Sequence, residues 1–189
     1  MKTRINILVV VLAMLFQSGC MYAVRYDGAY QGRIIDEATR EPIEGVVVLG
    51  VWYKTAPTVA GAVSTYYDAR ETVTDKNGEF KIPGQGLRIM TDLAPMEILI
   101  FKVGYDYIGL GPWEGLKKSI TLSKKVRWEG ERPIIPLKKL TMEERKIYFP
   151  PSPPHEAPLY KINLMLREIN KNATELGAEP ITIWQGDKL

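Results

Sequence analysis

The sequence predicts a mainly β protein, an antiparallel β-sandwich with a C-terminal amphipathic helix, and three stretches carry that prediction. From Gly32 to Val48, GRIIDEATREPIEGVVV, a short apolar segment meets a polar turn at Asp36 to Glu41, passes Pro42 and Gly45, and re-enters a β-branched run. From Thr74 to Pro83, TDKNGEFKIP, the turn residues Asp-Lys-Asn-Gly separate two alternating segments, which is the pattern of a hairpin. Leu159, Ile162, Leu166, Ile169, Ala173 and Leu176 recur at intervals of three and four, so they form one stripe of a helix that Gly177 should end.

Taken in order, residues 1–19 form an export signal. Lys2 and Arg4 give a positive start, and the apolar run Ile7 to Phe16 is too short to span a membrane. Ser18 and Gly19 before Cys20 resemble a bacterial lipobox, although Gln17 stands where Leu is usual. That resemblance implies that the Cys20 thiol receives a diacylglycerol and becomes the mature N-terminus, which would anchor the chain to a membrane. An ordinary signal peptide with a chance cysteine is the other reading. Met21, not Asp, follows Cys20, so the same resemblance implies the outer membrane, facing the periplasm, if the cell has two membranes.

Residues 20–28 read as a tether and 29–140 as the sandwich. Val46 to Tyr53 is the most apolar β-rich run after the signal and should be a central strand, and Glu97 to Val103 should be a second buried strand. Between the first of these and Glu71, the segment Lys54 to Arg70 has small residues and no clear period, which reads as a long loop. It carries Tyr66 and Tyr67, candidates for a binding role because long loops on rigid scaffolds often hold ligand contacts. Gly84-Gln-Gly86 opens another connection and fails as a dinucleotide fingerprint, since position 89 is Ile. Trp113, among glycines, and Trp128 are the remaining candidate binding residues, as stacking surfaces for a sugar or as plugs for the end of the sandwich. Lys117 to Leu122 reads as a strand and Lys124 to Leu137 as a meander.

The paired motifs have the form G-x-(I/V)-x-D-x-x-T-x-x-P-I-x-G-x-x-V and then T-D-x-x-G-x-F-x-I-P. They are supplied here by Gly32, Asp36, Thr39, Pro42, Ile43, Gly45 and Val48, then Thr74, Asp75, Gly78, Phe80, Ile82 and Pro83. The pattern resembles the carboxypeptidase regulatory-like domain, a transthyretin-like β-sandwich, over about residues 29–122. That resemblance implies a surface module or appendage and lowers the expectation of catalysis. Read from the residues alone, the same positions are structural: Asp36 and Thr39 should bond turn amides, Gly45 should allow close strand approach, and Phe80 and Ile82 should face the core. Asp75 to Gly78 lacks the glycine and glutamate positions of a calcium loop.

Residues 141–158 read as a linker. Thr141 to Glu144 forms a capping box, and Pro150, Pro151, Pro153, Pro154 and Pro158 stiffen the chain between it and the helix. Residues 159–189 hold the helix and, at Ile181 to Trp184, a closing strand. The helix stripe needs cover, from its own sandwich as the favoured expectation or from a partner.

Loss of the signal removes Lys2 and Arg4 from the 25 basic residues, leaving 23 against 22 acidic ones. No electrostatic case for nucleic acid remains. The single histidine, His155, lies among prolines, and Cys20 is the only cysteine. On those grounds the expectation is a protein that is not an enzyme and needs no cofactor or metal. Its expected partners are the membrane through the N-terminal lipid, and either an envelope protein or a cell-wall glycan.

Overall fold

The computed structural model describes residues 24–59, 61–89, 91–118 and 126–181. Ten strands occur among them: β1 (Val24–Asp27), β2 (Tyr30–Asp36), β3 (Val47–Thr58), β4 (Gly61–Val73), β5 (Glu79–Ile82), β6 (Gly86–Ile89), β7 (Glu97–Phe101), β8 (Ile108–Pro112), β9 (Arg127–Glu129) and β10 (Arg132–Leu137). The helices are α1 (Gly115–Lys118), α2 (Met142–Ile147) and α3 (Asn163–Glu175), and a 3₁₀ turn at Leu159–Lys161 precedes the last. One sheet has the order β5-β2-β10-β9, a second β4-β3-β7-β8, and β1 with β6 makes a separate ribbon. This is the predicted β-sandwich, with one departure from a purely antiparallel pattern: β10 runs parallel to β2.

Two hydrophobic layers result from the alternation along β3 and β7. Val48, Trp52, Ile98 and Ile100 face the first sheet and pack with Ile34, Phe80, Ile82, Ile135 and Leu137. Val47, Leu49, Val51, Leu99 and Phe101 face the other way and pack with Ile162, Met165, Leu166 and Ile169. A strand covered on both faces reads as an unbroken apolar run, which is why VVVLGVWY and EILIF stand out in the sequence. The C-terminal helix therefore forms a third layer on its own sandwich. Met165, which the three-and-four stripe passes over, is completely buried in this layer.

The two sequence motifs are joined through Thr74. Its hydroxyl accepts from the Val46 amide at 2.8 Å and donates to the Ile43 carbonyl at 2.7 Å. Asp36 accepts from the Ala38 and Thr39 amides and Thr39 from that of Glu41, as the turn chemistry predicts. Phe80 and Ile82 face the core. Gly78 is needed twice over: its φ is +72°, and an added Cβ would lie 2.3 Å from the Ile34 carbonyl oxygen. Gly45 corrects an expectation. Its φ of +75° demands glycine, whereas the nearest atom to an added Cβ is the mobile end of Lys102.

Other expectations are corrected as well. Lys54 to Arg70 is not a loop: β3 and β4 continue through it as a long antiparallel hairpin. Its period is hidden because its outer half is exposed on both faces, so no apolar alternation is imposed. The tether at 20–28 contains a strand, β1, which pairs with β6. Residues 117 and 118 belong to α1 and not to a strand, and the rest of that segment lies outside the described residues. Thr141 does form the capping box of α2. Buried Arg145 on α2 donates to Asn172 and Glu175, which ties α2 to α3. Ile181 is exposed and in no strand, and 182–184 lie outside the described residues.

Candidate functional site

Cys20 lies outside the described residues, whereas the four aromatic candidates all lie within them. Trp113 is a core residue: Tyr30, Phe80 and Trp128 meet it edge to face, with ring centroids 5.3, 6.4 and 5.9 Å away. Trp128 is half-buried, and Lys117 stands over its ring at 4.4 Å. Trp113 and Trp128 are inclined at 84° to one another, so they offer no shared plane for a sugar ring.

Tyr66 and Tyr67 sit at a bulge in β4, where Tyr53 pairs with Tyr66 and Trp52 with Asp68, leaving Tyr67 as the extra residue. Tyr66 packs on the helix side and Tyr67 on the sandwich core. Burial, with the charge of Asp68 second, pushes the Tyr66 hydroxyl up. The Tyr67 ring is already engaged by Lys54 at 4.8 Å and Arg88 at 5.2 Å. Every aromatic proposed as a stacking platform is thus occupied by the protein itself.

Two polar centres that sequence reasoning missed surround this bulge. Asp27, on β1, is buried and accepts from the Tyr30 hydroxyl, from Trp52 Nε1 at 2.9 Å and from the Gln85 amide at 2.8 Å. Burial, reinforced by the hydrogen bond and charge of Asp27, raises the Tyr30 hydroxyl well above its ordinary range. The second centre is Asp68, which accepts from Lys161 Nζ at 2.8 Å, Gln85 Nε2 at 2.8 Å and Arg70 Nε at 3.3 Å. Burial acts to raise its carboxyl, but the hydrogen bonds of Lys161 and Gln85 and the charges of Lys161 and Arg70 outweigh that and hold it below the usual carboxylate range.

Arg70 also donates to the Pro83 and Gly84 carbonyls at 2.8 and 2.7 Å, and Glu71 accepts from the Leu164 and Met165 amides. An open groove of about 500 Å³ runs between β4 and the start of α3, lined by Arg70, Glu71, Tyr160, Lys161 and Asn163 among others. Its charged head groups already hold one another and the backbone, so it acts as a clasp between sandwich and helix. No sequence signal marks these pairs, because Asp68 and Lys161 are 93 residues apart.

Among the described residues, two exposed surfaces bear on a binding role. The outer half of the β3–β4 hairpin, from about Thr55 to Thr65, projects as an arm. Among the described residues β3 pairs with β7 as far as Val51, and Asp92 and Ala94 bond its edge as far as Thr55. Val59 at its tip is fully exposed and Val63 is half exposed. The second surface is the outer face of the β1–β6 ribbon, where Val24, Tyr26, Leu87 and Ile89 are all exposed.

Among the described residues no group of three or more His, Cys, Asp and Glu side chains stands together as a metal site requires. No helix among them is long and apolar enough to cross a membrane. No family model matches the chain, and no curated protein does. Among solved structures it is similar to the crystal structure of 3-chlorocatechol 1,2-dioxygenase from Rhodococcus opacus 1CP, with 15% identity, a TM-score of 0.33 and coverage of 61% of each chain. The chain thus spans about three fifths of the length of the structure it matches. Against the expectation that the chain is not an enzyme stands this match to a dioxygenase structure, and that expectation is not kept. A likeness of this size carries no argument for a particular activity.

Proposed function

We propose that the chain is a lipid-anchored protein of the cell envelope. Its β-sandwich, of the carboxypeptidase regulatory-like kind, serves as a scaffold that holds another envelope protein. The apolar run ending at Ser18-Gly19-Cys20 supports the anchor. The paired motifs meeting at Thr74 support the domain resemblance. The observation that carries the scaffold role is the arm: the α3 stripe is used on the second sheet, while β4, the end strand of that sheet among the described residues, is exposed from Gly61 to Thr65. An edge strand beside exposed valines suits a partner that adds a strand or packs on the tip. The glycan reading loses its motivation, since the aromatics that would stack on a sugar are engaged internally.

The test places a photo-crosslinking residue at Val59 or Val63 in intact cells, with Lys171 on α3 as the control position. A discrete protein adduct from the arm and none from Lys171 is expected. No adduct from the arm, or the same adducts from all three positions, contradicts the scaffold role, and a glycan adduct from the arm returns the glycan reading.

A further inference from the structure

The β1–β6 ribbon carries an unusual pair of faces. In its antiparallel register Val24 is opposite Ile89 and Tyr26 opposite Leu87, so these four side chains share one face. All four are exposed, from 61% at Val24 and Leu87 to 74% at Tyr26. The inner face is tied down: Asp27 is buried on Trp52 and Gln85, and Arg25 donates to the Leu93 carbonyl at 3.3 Å. The apolar face is therefore held outward by a fixed inner one, and its four apolar residues form two adjacent cross-strand pairs. Contiguous exposed apolar groups of this kind mark an interaction site.

Chain connectivity says what lies against it. Val24 is four residues after Cys20, and an extended chain advances at most about 3.6 Å per residue, so their Cα atoms are separated by no more than about 14 Å. If Cys20 carries its lipid at the membrane surface, the start of β1 stays within about 14 Å of that anchor, close enough to reach the headgroups. A sandwich tethered that closely keeps its first strand beside the bilayer. An apolar face with an aromatic residue suits the interface, where such faces sink roughly 5–10 Å into the boundary between headgroups and acyl chains. We propose that the outer face formed by Val24, Tyr26, Leu87 and Ile89 rests in the interface of the bilayer to which Cys20 is anchored, fixing the orientation of the sandwich on the membrane. This rests on the anchored reading given under Proposed function.

The test uses the full chain purified from membranes. Acylated Cys20 leaves no free thiol, so Leu87→Cys gives a single site for a bimane label, and Lys171→Cys gives a control on the helical layer. Each labelled protein is reconstituted into vesicles of phosphatidylethanolamine and phosphatidylglycerol containing lipids brominated near the carbonyl end of the acyl chain, and the intact mass of the same sample is recorded. Quenching several-fold stronger at position 87 than at 171, and lost when Val24, Tyr26 and Ile89 are all changed to Ser, is expected. An acylated sample with equal quenching at both positions, or quenching that the serine changes leave intact, overturns the membrane contact while the anchor stands. The same holds if position 87 is unquenched. A mass without the lipid overturns the anchored reading and this proposal with it.

Discussion

Glu71 on β4 supplies the N-terminal cap that α3 lacks: its carboxylate accepts from Met165 N–H at 2.7 Å and from Leu164 N–H at 2.9 Å. Ile162, at the cap position, offers no side-chain acceptor. A carboxylate at a helix N-terminus satisfies two of the four free amides and meets the positive end of the helix dipole. Burial raises the Glu71 carboxyl, and the two amides only partly offset that. Glu71→Ala should lower stability by about 0.5–2 kcal/mol, the range for loss of a cap. Amide exchange at residues 164 and 165 should rise more than at the C-terminal end of α3; unchanged exchange there contradicts the capping role.

Met165→Ala should cost about 2–5 kcal/mol, since the side chain is fully buried between α3 and the outer face of the second sheet. Chemical denaturation measures it. A loss under about 1 kcal/mol would mean that the helix is only loosely laid on the sheet.

The clasp predicts a pH dependence. Asp68 has its folded pKa lowered from an ordinary value of 3.8, so the stability it contributes is complete above that value and disappears as pH falls through the lower folded one. At neutral pH, Asp68→Asn should be less stable than the parent by about 1.5–3 kcal/mol, the range for hydrogen bonds to a charged group. That difference should narrow as pH falls below 3.8. A gap that stays constant between neutral and acid pH would show that the Asp68 charge is not what holds Lys161 and Gln85.

Phe80→Ala should cost about 3–5 kcal/mol by equilibrium unfolding, because the ring is buried on β5 and packs edge-on against Trp113.

Much of the sandwich is legible in the sequence because its signals are local. A turn such as Asp36 to Glu41, or the hairpin around Gly78, is specified by residues within a few positions of one another, and Phe80 and Ile82 alternate with polar neighbours. The β3–β4 arm is not legible, since an alternating pattern appears only where one face is buried and the arm has none. The candidate site is hidden for a different reason. Asp68 meets Lys161, and Glu71 meets Met165, across gaps of 93 and 94 residues, and neither end carries a motif. Tyr66 and Tyr67 stand out as residues while their role does not, because which layer each faces is set by the register around the bulge, a property of the pairing with β3.

The mass of the mature N-terminal peptide, taken from protein isolated from the membrane fraction, tests the anchored account most directly. Cleavage between Gly19 and Cys20 with a diacylglyceryl group on the Cys20 sulfur is the predicted result. An unmodified Cys20, or an N-terminus at any other residue, contradicts it.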